Sequence, residues 1–157
     1  MKRSERTTIG WREWLALPDW GVDAIKAKID TGARTSAVHA FDIETYELGG
    51  VAMARFAIHP WQDSSSDAVV VEAPLLERRQ VRSSSGAAGE RPVVLTTMEL
   101  AGRQRPIEVT LTRRDEMGFR MLIGRQALRR HYVVDPGRSY LGGRPERDVL
   151  DRNRGRA

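Results

Sequence analysis

Apolar and polar residues alternate along most of the chain. "IGWREWLALPDWGVDAIKAKID", residues 9–30, does so on both sides of the turn signal "PDWG" and predicts two strands in a hairpin-like arrangement. "AVHAFDIETYELGGVAMARFAIHP" alternates again, with Gly49-Gly50 marking the turn between two further strands. "WQDSSSD" reads as a loop and "AVVVEAPLLE" as a β-branched strand edged by Pro74. "RRQVRSSSGAAGERPVVLTTMELAG" reads as two extended arms around a small-residue tip, Ser83 to Gly89. "RQRPIEVTLTRR" places Ile107, Val109 and Leu111 on one face of another strand.

The pattern changes at "FRMLIGRQALRRHY", a short buried-strand run, a glycine, then about two turns of helix. "VVDPGRSYLGG" predicts a final strand and turn. Residues 1–7 read as a flexible tail, and 144–157, which mix charges without an apolar face, as a disordered one. One domain over residues 8–143 remains: mainly β, seven or more short strands with one short C-terminal helix, arranged as a barrel or sandwich.

Length agrees, since 157 residues make one core and not two. No apolar run approaches the roughly 20 residues of a membrane helix, and no apolar signal core follows "MKRSERTT". A cytoplasmic location without membrane contact is the expectation. The absence of cysteine fits a reducing compartment and excludes disulfides, thiol nucleophiles and thiolate metal sites.

The net charge of +5 is almost wholly arginine, because Lys2, Lys26 and Lys28 are the only lysines. Guanidinium forks suit carboxylates and phosphates, so a polyanionic partner is expected. Nucleic acid is the weaker candidate: no recognition module is visible, and 6% aromatic residues is thin for base stacking.

Candidate chemistry narrows quickly. His39, His59 and His131 share no ligand spacing, so no metal is expected. No G-x-S-x-G elbow and no phosphate-binding loop occur, which leaves neither a serine nucleophile nor a visible ATP site, and no cofactor is expected. What remains is Asp30-Thr31-Gly32 at the end of an alternating strand. The same tripeptide makes an ordinary turn or helix cap. It is also the arrangement of aspartic proteases, in which two close carboxylates share a proton, one as base and one as acid. About ninety residues later, "RMLIGRQAL" supplies an apolar pair, Gly124 and a helix, which suits the psi-shaped partner of such a strand.

With "DTGARTSA", "VRSSSGAAGERPVV" and "MLIGRQALRRHYVVDPGRSYLGG" in this order, the chain resembles the retropepsin-like peptidases of the RimB type. These are associated with RimK glutamate ligases and were long labelled ATP-dependent zinc proteases. The resemblance covers most of residues 8–143 and implies a pepsin/retropepsin-like closed β-barrel of the acid protease fold, a single half. It implies Asp30 as catalytic, with Thr31 and Gly32 completing the motif. A homodimer pairing Asp30 of two chains is the simplest dyad; another acid of the same chain, such as Asp115, is the alternative.

Strand order then makes residues 78–94 an active-site flap, with Gly86 and Gly89 at its mobile tip and Arg82 and Arg91 facing substrate. Residues 42–59 become an extra hairpin. Arg34, Thr35, Ser36 and Arg125 join the expected substrate-binding set, although Arg34 and Arg125 equally suit bracing of the Asp30 loop or a dimer interface. The resemblance implies an acidic, glutamate-rich peptide as substrate, such as the tail a RimK-type ligase adds to a ribosomal protein. A non-catalytic oligoglutamate-binding or ligase-regulating module is the rival; a zinc-dependent protease and an RNA-associated basic protein follow. His39 is a candidate for an acid role at neutral pH.

Overall fold

The computed structural model describes residues 5–82, 88–113 and 118–155. More than half of them lie in strands. In chain order these are β1 (Thr7–Gly10), β2 (Arg12–Leu17), β3 (Val22–Ile29), β4 (Ser36–Leu48) and β5 (Val51–Ile58), then β6 (Val69–Arg82), β7 (Ala88–Leu100), β8 (Arg103–Thr112), β9 (Met121–Ile123) and β10 (Tyr132–Asp135). Among the described residues, helix is confined to α1 (Arg125–Leu128), α2 (Arg147–Asn153) and a 3₁₀ turn at Pro18–Trp20.

The turns form where the residues demand them. Pro18 opens the 3₁₀ turn, and Gly21 closes it at φ 69°, a conformation that costs a glycine little. Gly49 and Gly50, at φ 57° and 82°, give the two-residue turn whose twist matches the β4–β5 hairpin.

The large sheet runs β2-β3-β9-β4-β5-β6-β7-β8, with further pairings β2–β7 and β4–β8. A walk through β2, β3, β9, β4, β8 and β7 therefore returns to β2. The buried core includes Leu17, Ile25, Phe56, Ile58, Met98, Leu111, Met121 and Ile123, all 1% exposed or less. Trp20 meets Phe56 edge-to-face at 5.2 Å.

A parallel pair, β1 with β10, forms a separate small sheet. It is tied to the large one by Glu13, a carboxylate with no exposed surface. Its oxygens accept the amides of Gly10 (2.7 Å), Leu141 (2.9 Å) and Gly142 (2.8 Å). A buried charge is tolerable when hydrogen bonds replace its hydration, and three backbone donors do so here.

Two expectations need correction. The segment from residue 144, expected to be disordered, contains α2. Its anchor is polar: the buried Asn153 accepts the Gln62 amide through its side chain (2.7 Å) and the Asp63 amide through its carbonyl (2.8 Å). An anchor of that kind leaves no apolar stripe in the sequence. Gly89, expected at the flap tip, instead sits in β7 opposite Val81. Gly86 and the rest of the tip, residues 83–87, lie outside the described residues.

Replacing Glu13 with Ala strands three amide donors, one of them buried. We expect a loss of about 3 kcal/mol, read as a lower urea midpoint; an unchanged midpoint refutes the role given to this carboxylate.

Candidate active site

Asp30 follows the last residue of β3, and its position is set by β9. The two strands run parallel, with Ala27, Lys28 and Ile29 opposite Met121, Leu122 and Ile123. The Asp30 amide continues the ladder by donating to the Ile123 carbonyl at 2.8 Å. On its other side β9 pairs antiparallel with β4, so the residues before and after the Asp30 loop are held by the same three-residue strand.

Gly124 ends β9 with no room for a side chain. A Cβ there would stand 2.5 Å from the Thr35 carbonyl oxygen and 2.9 Å from that of Ala33. Residues 33–36 thus wrap the start of α1: the amides of Arg125 and Gln126 donate to the carbonyls of Ala33 (2.8 Å) and Arg34 (3.0 Å). These are donors that the first turn of a helix cannot satisfy internally.

The loop also braces itself. The Gly32 amide donates to Asp30 Oδ1 at 3.0 Å, and the Ala33 amide to the Asp30 carbonyl at 3.2 Å. Among the described residues, Asp30 Oδ2 receives no hydrogen bond. One oxygen of a half-buried carboxylate is oriented while the other is open to water, substrate or a second acid.

Several residues expected to contact substrate make hydrogen bonds within the chain. Ser36 is buried, and its hydroxyl accepts the Gly124 amide at 3.1 Å, so it holds the psi glycine. Arg125 donates through Nη1 to the carbonyls of Thr31 (3.1 Å) and Gly32 (3.0 Å), which makes it a brace of the Asp30 loop. Arg91 hydrogen-bonds Thr112 on β8. The Arg82 side chain and Asp115 lie outside the described residues. His39 is buried in β4 within a stack that includes Phe41 and His59, and it lines neither cavity beside the Asp30 loop.

Those two cavities share Arg34. One, of about 470 Å³, joins Thr31, Arg34, Arg125 and Arg129 to Leu128 and Tyr132, and no carboxylate among the described residues lines it. The other, of about 410 Å³, joins Arg34 and Thr35 to Glu77, Arg79 and Gln80 of β6. Arg79 reaches Glu108 at 2.8 Å and also pairs with Glu77. The hydrogen bond it donates to Glu108 is the chief reason its guanidinium holds its proton more firmly than a free one. Sequence reasoning missed Arg129, Glu77 and Arg79. Only Arg129 had a visible signal, its place one turn after Arg125 on the helix that follows the psi glycine.

An aspartate loop closed by a parallel strand and its glycine is the construction expected of retropepsin-like chains. The family described as "Retropepsin-like aspartic endopeptidase RimB" matches residues 8–145, and the chain belongs to this RimB-like family. It is also similar to proteins named "Probable alpha-L-glutamate ligase". That of Shewanella pealeana is 42% identical over 135 residues, 86% of this chain and 30% of the relative. That of Parasynechococcus marenigrum is 40% identical over 148 residues, 94% of this chain and 32% of the relative. The chain therefore spans about a third of the length of these relatives. Among solved structures, a Legionella pneumophila protein of unknown function matches with a TM-score of 0.76 at 27% identity, over 88% of this chain and 99% of the other.

Gly124→Ala forces a methyl into the Thr35 carbonyl. We expect a loss of stability of about 2 kcal/mol or more together with displacement of the Asp30 loop, measured by thermal melting and by exchange protection of the Asp30 amide. Wild-type behaviour in both overturns the close-approach account.

Proposed function

We propose that the chain is an aspartic peptidase in which Asp30 of two copies forms the catalytic dyad, acting on glutamate-rich peptide. The observation that carries this reading is the Asp30 carboxylate itself, oriented through Oδ1 and open at Oδ2, in a member of a retropepsin-like family. The ladders that return from β2 to β7 support a barrel half of the acid-protease kind. In the reaction the ionised carboxylate takes a proton from a water whose oxygen attacks the peptide carbonyl. The protonated partner first hydrogen-bonds that carbonyl oxygen, and a proton then passes to the departing nitrogen as the C–N bond breaks.

Two copies are the simplest source of the pair, because a lone carboxylate cannot be base and acid together. Asp-Thr-Gly occurs once in the chain, and among the described residues no carboxylate lines the cavity touching Thr31. The acidic substrate is supported by Arg34 and Arg129 in that cavity. It is supported too by relatives that carry this domain within longer chains named for a glutamate ligase. Those names equally favour a second reading, a module that binds oligoglutamate or regulates a ligase without cleaving. A cytoplasmic site of action belongs to the same proposal; no helix among the described residues is long and apolar enough to cross a membrane.

Purified protein incubated with poly-glutamate is the test. Asp30→Asn is expected to lower kcat by more than about a thousandfold, and sedimentation is expected to show a dimer. An equally active Asn variant ends the aspartic mechanism, while binding without cleavage by both proteins selects the second reading. The pH–rate profile should be bell-shaped with two apparent pKa values belonging to the pair. EDTA should leave activity intact; loss that zinc restores would falsify the metal-free mechanism.

A further inference from the structure

A second group of cations sits on the β2–β3 pair and lines neither cavity beside the Asp30 loop. Cross-strand register puts Arg12 opposite Lys28 and Trp14 opposite Lys26, so these four share one face of the sheet. Three rings, Trp11, Phe119 and Tyr140, are gathered there. The Arg12 guanidinium lies 4.7 Å from the Trp11 ring centre and 4.9 Å from that of Tyr140. The Lys26 ammonium lies 5.6 Å from Phe119 and 5.7 Å from Tyr140, and the Arg144 guanidinium 4.7 Å from Tyr140. Three cations therefore converge on one ring.

The arrangement is fixed in place. Arg12 Nε donates to Ser139 Oγ at 3.1 Å, and the Tyr140 amide donates to the Arg12 carbonyl at 3.0 Å. Tyr140 is held at φ 57°, a left-handed backbone that a side chain other than glycine's adopts at a cost. Trp11 and Phe119 meet edge-to-face at 6.0 Å.

Among the described residues no ion pair neutralises these charges: the pairs are those of Arg79 with Glu77 and Glu108, and none involves Arg12, Lys26 or Arg144. Asp23 and Glu99 line a hollow of about 230 Å³ beside Arg144 without reaching ion-pair distance. Ring contacts soften the repulsion among the three cations but do not cancel it, and a run of anions would. The ring faces are already approached by the cations, which disfavours stacked nucleobases. A guanidinium laid on a ring keeps its N–H edges free for carboxylates.

We propose that this surface is an exosite for a run of carboxylates on an acidic peptide, one that retains the chain while another part of it reaches Asp30. The proposal rests on the acidic-peptide reading above and adds a place and a length dependence to it. Lys26 precedes Asp30 by four strand residues, roughly 13 Å at the usual rise, so a peptide shorter than about five residues cannot engage both.

Fluorescein-labelled deca-glutamate and tri-glutamate are titrated by anisotropy against the full chain carrying Asp30→Asn, which separates binding from cleavage. Adding Lys26→Ala with Arg144→Ala should weaken deca-glutamate binding about tenfold or more and leave tri-glutamate unchanged. Lys26→Glu with Arg144→Glu should weaken it further, and circular dichroism and melting identify any variant that has lost its fold. Unchanged deca-glutamate binding in a folded variant overturns the exosite, as does an equal loss for both peptides. A labelled uridine decamer that binds this face more tightly than deca-glutamate also overturns it, in favour of nucleic acid. Failure of hydrolysis by the wild-type chain would leave this readout standing, so the two readings fail separately.

Discussion

The parallel contact between β3 and β9 is the constraint on which the rest of the site depends. Ile29 and Asp30 are secured by Ile123, while Gly124 lets the backbone of residues 33–36 close over the start of α1. Parallel neighbours cannot be joined by a tight turn. More than 90 residues of chain separate these two strands and supply the other walls of the sheet. The aspartate loop is thus held by contacts that only the assembled domain brings together.

Arginine is used in two distinct ways around this loop. Arg125 spends its donors on the Thr31 and Gly32 carbonyls and Arg79 on Glu77 and Glu108, so these cations hold structure. Arg34 lines both cavities next to the loop, and Arg12, Lys26 and Arg144 face aromatic rings without an ion pair among the described residues. Net charge alone does not separate the two uses. The separation lies in whether a carbonyl or carboxylate acceptor of the same chain stands within reach.

Alternation in strands and the glycine turns at residues 21 and 49–50 were legible because they are local: each needs only its neighbours' side chains and φ values. The Asp30 loop and its psi glycine were legible for a different reason, a motif whose two halves keep their order and spacing. The α2 helix was not, since its docking relies on Asn153 reaching the 62–63 loop and not on an apolar stripe. The bracing role of Ser36, a residue expected on the substrate side, was not legible for a similar reason. Nothing beside it in sequence announces that its hydroxyl will accept an amide 88 residues away.

By itself the amino-acid sequence determined a mainly β domain, an aspartate at a strand end, its glycine-bearing partner and an arginine-rich surface. Tertiary structure alone decided which arginines brace and which remain open, that Glu13 would be enclosed by three amides, and that three cations would meet on the ring of Tyr140. The physical reason is range. Backbone propensity and hydrophobic period act between near neighbours, whereas hydrogen-bond acceptors and opposing charges for a long side chain come from whichever distant strand the fold places beside it.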